Sequence, residues 1–235
     1  MTRQAQERRT IQHYVGVARR ARNAHLPRYV FIHINKTGGS SIEQALGLRF
    51  EHKTALDKRA ELGARAWQRT FKFAFVRNPW NRAISHYRYR MQTNQTGLGD
   101  GHLAFRDWVK AVYRDRNPRY RDQELMFQDQ WYWLSDDSGA CMVDFIGRFE
   151  SLPADFASLA RILGVRGALP HLKRSETPPR ADYYDAESQE IVARYFSTDI
   201  EKFGYWYVES SVSPVPDMSR SGHGTGRPAA TWIDR

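Results

Sequence analysis

Between residues 33 and 43 the chain reads HINKTGGSSIE, and the six positions from Lys36 to Ser41 hold one Lys, two Gly and three hydroxyl residues. A set of that kind suits a tetrahedral anion. Gly38 and Gly39 let the backbone wrap closely, Lys36 supplies a mobile positive charge, and Thr37, Ser40 and Ser41 carry hydroxyls that donate hydrogen bonds. If the segment joins a strand to a helix, the amides and dipole at the helix start add positive character at the same point. The plain alternative is a polar Gly-Ser turn with a solvated Lys. The order is not that of the Walker A loop GxxxxGK[ST], because Lys36 precedes the glycines.

A second candidate lies in FVRNPWNRAISHY. Arg77 falls at the end of a β-prone run, while Arg82 and Ser85 are three apart and share a face of the helix that follows. Two guanidiniums and a hydroxyl could hold a second phosphate. The alternative is a surface Arg82 and a Ser85 chosen for its small size.

The elements that must position these residues are legible on either side. Tyr29 to Ile34 is a nearly continuous apolar run of buried-strand length, and Ser40 to Leu48 has helical spacing at Ile42, Ala45 and Leu46. Ser40-x-x-Glu43 matches a capping box. Phe71 to Val76 is a second strand candidate, after which Asn78 suits an N-cap and Pro79 the first helical position. A helix is expected through NRAISHYRYRMQ. Two strand-loop-helix units predict an α/β fold with a central parallel β-sheet flanked by helices, in which ligands gather at the carboxyl ends of strands. Gly97 to Gly101 reads as a flexible loop, and His102 to Trp133 as mainly helical. Ala140 to Phe149 contains a further strand, and Pro153 to Leu163 and Ala186 to Phe203 are expected helices. One domain is expected over residues 26–209, between a basic helix or arm at 1–25 and a disordered Ser-, Pro- and Gly-rich tail at 210–235.

HINKTGGSS followed by FVRNPWNRAISHY resembles the two cofactor signatures of the sulfotransferase superfamily, the 5′-phosphosulfate loop and the 3′-phosphate motif, in the form of the carbohydrate-sulfotransferase (family 2) branch. VDFIGRFESLPADF, LPHLKRSE and DIEKFGY are similar to later blocks of that branch, so the likeness covers roughly residues 28–207. The resemblance implies transfer of a sulfuryl group from 3′-phosphoadenosine 5′-phosphosulfate (PAPS) to a hydroxyl, less readily an amine, of a carbohydrate or other small acceptor. It implies a single P-loop-like α/β domain. Lys36, Thr37, Gly38, Gly39, Ser40 and Ser41 would hold the 5′-phosphosulfate, and Arg77 and Ser85 the 3′-phosphate. Two departures are visible: Asn35 stands where the family usually has Pro, and Lys173 where the branch often has Asn.

Such a transfer needs positive charge on the moving group, which Lys36 supplies, and a base for the acceptor proton. Histidine is the side chain whose ordinary pKa lies nearest neutrality. Related glycan sulfotransferases place a catalytic His or Glu between the two motifs, and here His52 in FEHKTA fills that region, with Glu51 beside it. His33 is expected in the strand as a satisfied core histidine, and His86 and His171 are runners-up. Arg148 and Glu150 could contact the nucleotide but read first as a structural ion pair.

Composition sets the outer limits. There are 36 basic residues against 26 acidic, a formal charge of +10, and only seven of the basic residues are Lys. Arg-rich surfaces favour anionic partners. Cys141 is the single cysteine, so neither an intrachain disulfide nor a cysteine zinc cluster can form, and no metal site is expected. No run approaches the roughly 20 apolar residues that span a bilayer, which leads to the expectation of a soluble, cytoplasmic protein. The competing classes are a P-loop-type nucleotide kinase or NTPase, disfavoured by the incomplete Walker A, and a basic nucleic-acid-binding module, for which no recognition motif is visible.

Overall fold

The computed structural model describes residues 28–101, 103–165, 169–170, 182–207 and 231–232. The N-terminal arm and most of the tail expected at 210–235 lie outside those residues, as do His171 and Lys173. The chain gathers into two compact units. The first takes in residues up to Val76, then Gln130–Arg174 and the segment from Ala230, and the second takes in Arg77–Asp129 and Ser175–Ala229.

The first unit holds the sheet. Strands β1 (Tyr29–Ile32), β2 (Phe71–Val76) and β3 (Phe145–Arg148) run parallel in the order β1-β2-β3, as the two strand-loop-helix repeats require. A two-residue strand, β4 (Thr231–Trp232), pairs antiparallel with β3. The central strand FKFAFV is buried at every position, which explains its unbroken apolar run. Phe31, Phe73 and Phe145 are partners in register across the three strands. With Phe71 and Phe75 they form the face covered by Ile42 of α1 (Gly39–Leu46) and by Phe156, Leu159 and Ala160 of α7 (Leu152–Leu163). Lys72 is the exception in β2. It is 2 % exposed, its Nζ lies 2.7 Å from Asp144 Oδ2, and it sits over the Trp67 ring, so the buried charge is paired.

Two helices went unread in the sequence, α2 (Ala55–Leu62) and α3 (Ala64–Arg69). α2 starts on a capping box formed by Thr54 and Asp57, a Thr-x-x-Asp pattern one carbon shorter than the usual Glu form. α6 (Gln130–Leu134) completes the unit.

The second unit is helical. α4 (Pro79–Gln92) begins as expected, with Asn78 Oδ1 accepting from the amides of Trp80 and Asn81 and Pro79 in the first turn. Its buried Trp80, Ala83 and Ile84 follow helical spacing and meet Trp108, Val112, Phe127, Tyr184, Val192 and Phe196. The 102–133 region is less regular than expected. α5 (Phe105–Val109) widens into a π turn at Lys110–Arg114, and the chain then runs irregularly to a 3-10 turn at Glu124–Phe127. The helix expected at 186–203 breaks at Phe196 into α8 (Ala186–Tyr195) and α9 (Ser197–Phe203).

Part of the arginine excess is spent inside this unit. Arg90 is 1 % exposed, pairs with Asp122 at 2.7 Å and stacks on Phe127. Arg121 stacks on the same ring and pairs with Glu124. Planar guanidiniums suit this combination of ring stacking and carboxylate pairing. Among the described residues no helix is long and apolar enough to cross a membrane.

Candidate functional site

The loop that follows β1 is wound tightly. Ile34 N–H donates back to the Ile32 carbonyl, and the Thr37 hydroxyl, itself fully buried, donates to the Ile34 carbonyl at 2.8 Å. Lys36 takes a left-handed conformation with φ 67°. A long side chain in that region is uncommon and is held there by its surroundings. Gly38, also left-handed at φ 86°, occupies the N-cap position of α1.

No side chain caps α1. The capping box read into Ser40 and Glu43 does not form. Ser40 is exposed, and the Glu43 carboxylate turns inward, where its Oε1 lies 2.8 Å from Nδ1 of His33. The helix starts at Gly39, two residues earlier than the box requires, so Glu43 lies beyond the first turn on the inward-packing face, where its carboxylate meets His33 and accepts from the Glu51 amide. The amides of the first turn of α1 are thereby left without a side-chain acceptor.

His33 is the centre of the arrangement. It is 4 % exposed, as a core histidine was expected to be. Its ring fills the space beside Gly39 so completely that a Cβ at residue 39 would stand 2.0 Å from His33 Cδ2. Its backbone carbonyl accepts a 2.8 Å hydrogen bond from Nδ1 of His52. The two imidazole rings lie 4.4 Å apart, with Phe50 edge-on to both and Trp133 of α6 edge-on to His52 at 5.9 Å. Because a carbonyl can only accept, Nδ1 carries the His52 proton and Nε2 carries the lone pair.

Burial, with the nearby His52 and Lys36, pushes His33 down to about 3. Burial, opposed by a hydrogen bond from the Glu51 amide and helped by the Glu51 charge, pushes Glu43 up to about 7. Both shifts favour neutral partners, an uncharged imidazole beside a carboxyl that readily keeps its proton. Glu51 differs. Burial raises it, but hydrogen bonds from Lys58 and Lys53 outweigh that and hold it below its ordinary value. Those two lysines also pair with Glu61. A carboxylate so engaged is a weak base, which leaves His52 as the better base of the two.

In the second unit, Arg77 is 6 % exposed at the start of the turn after β2, and Ser85 is half-buried on α4. Arg82, which shares the Ser85 face by spacing, is 3 % exposed and donates to the carbonyls of Gln128 and Met126 while lying over Phe196. Its guanidinium holds the chain after the 3-10 turn. His86 is buried between Phe127 and Trp108.

A model of the sulfotransferase family matches residues 24–206. The chain belongs to the sulfotransferase family, in its family 2 branch. It is also 28 % identical over 110 residues to an uncharacterized protein of Archaeoglobus fulgidus, covering 46 % of this chain and 78 % of that one. No solved structure matches it. Family membership makes this sulfotransferase a transferase that moves sulfuryl groups, and the sites just described lie within the matched residues. The sequence reading undervalued His33, Glu43, Phe50 and Trp133. No local pattern marked the first two, which come face to face across ten residues only once the loop folds back.

Proposed function

We propose that this sulfotransferase takes its sulfuryl group from PAPS in a P-loop-like fold and delivers it to a hydroxyl, less readily an amine, of a carbohydrate or other small acceptor. In this reading Lys36, the backbone of Thr37, Gly38 and Gly39, and Ser40 and Ser41 cradle the 5′-phosphosulfate. Arg77 and Ser85 are assigned to the 3′-phosphate on the resemblance of FVRNPWNRAISHY alone. His52 removes the acceptor proton. The observation that carries the reading is the start of α1, which presents its first-turn amides with no side-chain cap beside a lysine held left-handed. That arrangement supports an anion there, since amides and dipole favour negative charge.

The chemistry then follows from the chain's own groups. Nε2 of His52 accepts the proton as the acceptor oxygen attacks sulfur, and the leaving 5′-phosphate takes its charge against Lys36 and the loop amides. Glu51, tied to Lys53 and Lys58, keeps those lysines in place.

The test is transfer of labelled sulfate from PAPS across an acceptor panel, with binding of the desulfated nucleotide measured alongside. Lys36→Ala should cost on the order of 100-fold in turnover, the scale of one lost charge-stabilising donor. Unchanged transfer and unchanged nucleotide binding in that variant would sink the assignment of the loop.

A further inference from the structure

We propose that the buried His33–Glu43 pair is the positioning unit of this site: Glu43 fixes the His33 ring, and His33 fixes both the His52 imidazole and the Gly39 start of α1. The inference rests on the reading of His52 as the base. Three contacts carry it. Glu43 Oε1 and His33 Nδ1 are 2.8 Å apart, with side chains 7 % and 4 % exposed, so the pair is shielded from water that would loosen it. His33 offers its carbonyl to His52 Nδ1 at 2.8 Å and its ring face at 4.4 Å, restricting both the tautomer and the tilt of the second imidazole. The same His33 ring occupies the volume a side chain at residue 39 would need, so its placement also sets how closely α1 approaches the loop.

The logic is that of a base oriented by a third group, with an added constraint on charge. Were His33 to hold a positive charge, it would oppose the imidazolium that His52 must become. Burial keeps His33 neutral, and Glu43, when ionised, adds a negative charge that favours protonation of the cluster. The other charged and titratable groups facing the pair are Lys36 in the loop and Glu51 and His52 in the segment after α1. Neither His33 nor Glu43 is required to touch a substrate. Both act through His52 and the loop.

The experiment combines kinetics with nitrogen-15 histidine NMR on the full chain. In the wild type His52 should show a single tautomer protonated at Nδ1. Glu43→Ala should give a mixed tautomer at His52, lower kcat by about tenfold and weaken binding of the desulfated nucleotide by a few fold. Glu43→Gln, whose amide oxygen still accepts from His33 Nδ1, should restore the single tautomer and most of kcat, with the acid limb of kcat/KM displaced to lower pH because the carboxylate charge is gone. A single wild-type tautomer with unaltered kcat in Glu43→Ala would overturn the proposal. Should Glu43→Ala fail to fold, His33→Asn decides: it keeps a partner for Glu43 but removes the ring that faces His52. A displaced His52 ring signal with lowered kcat there upholds the positioning role, and an unchanged signal with unchanged kcat refutes it. If the wild type transfers nothing from PAPS, the assigned reaction fails, whereas the NMR result still judges the positioning on its own.

Discussion

The two strand-to-helix turns of this sulfotransferase are built from the same plan and spend their polar groups in opposite ways. After β2, Asn78 caps α4 and Pro79 fills its first turn, so the helix start is satisfied by its own sequence. After β1, the cap position is a left-handed glycine, the first turn holds no acidic residue, and Glu43 one turn on faces the core to meet His33. The first turn therefore lacks the side-chain cap that closes the second. Natural proteins accept such local deficits at sites where a ligand completes the structure.

The largest effect that follows is at Gly39. A methyl group there would collide with the His33 ring, which is itself held by Glu43 and cannot swing away cheaply. Gly39→Ala should destabilise the chain by about 1–3 kcal/mol, the usual cost of overpacking, and should weaken nucleotide binding as well. Thermal unfolding with and without the desulfated nucleotide measures both, and a variant as stable as the wild type would show that the first turn is looser than its packing implies.

Next is a dependence on pH that only the first turn should have. Glu43 is raised from 4.5 to about 7, so the folded chain holds an extra proton in that window and this group's contribution falls as pH rises through it. His33 is lowered from 6.5 to about 3, so its contribution rises as pH climbs between those values. The two slopes oppose each other where they overlap, between 4.5 and 6.5. Splitting the pair exposes them. His33→Gln should leave stability falling from about pH 4.5 to about pH 7, because burial rather than His33 raises Glu43. Glu43→Gln should leave it rising from about pH 3 to pH 6.5. Denaturant midpoints across that range provide the check, and parallel curves for both variants would dissolve the argument.

How much of this could be read beforehand differs between the turns for a physical reason. Local rules were enough where partners are near in sequence: β2 was read at its observed bounds, and Asn78 and Pro79 were recognised as the start of α4 because capping involves neighbours two or three residues away. The same local rule failed at Glu43. Ser40-x-x-Glu43 fits a capping box, but the competing partner, His33, becomes adjacent only when the loop closes, and no period in the sequence encodes that. Likewise the Arg excess suggested anionic ligands, while Arg82, Arg90 and Arg121 proved to be packing elements whose partners lie up to 74 residues away. The helix break at Phe196 and the irregular path after α5 were missed because tertiary packing overrode continuous helical spacing. The turn after β1 was legible as a candidate site, since its glycines, lysine and hydroxyls are contiguous.

A paired substitution at the two caps sharpens the contrast at the smallest scale. Asn78→Ala should cost about 1 kcal/mol, the typical loss of an N-cap, because two amides of α4 lose their acceptor in a buried setting. Ser40→Ala should change stability by less than about 0.5 kcal/mol, since an exposed hydroxyl that caps nothing leaves no group unsatisfied when removed. The order of the two should invert when affinity is measured. If Ser40 serves the anion, its loss weakens binding of the desulfated nucleotide by a few fold with stability untouched, because that hydroxyl has no other employment in the fold. Equal stability losses at both positions would mean that Ser40 caps α1 after all, and that the first turn is not the open one.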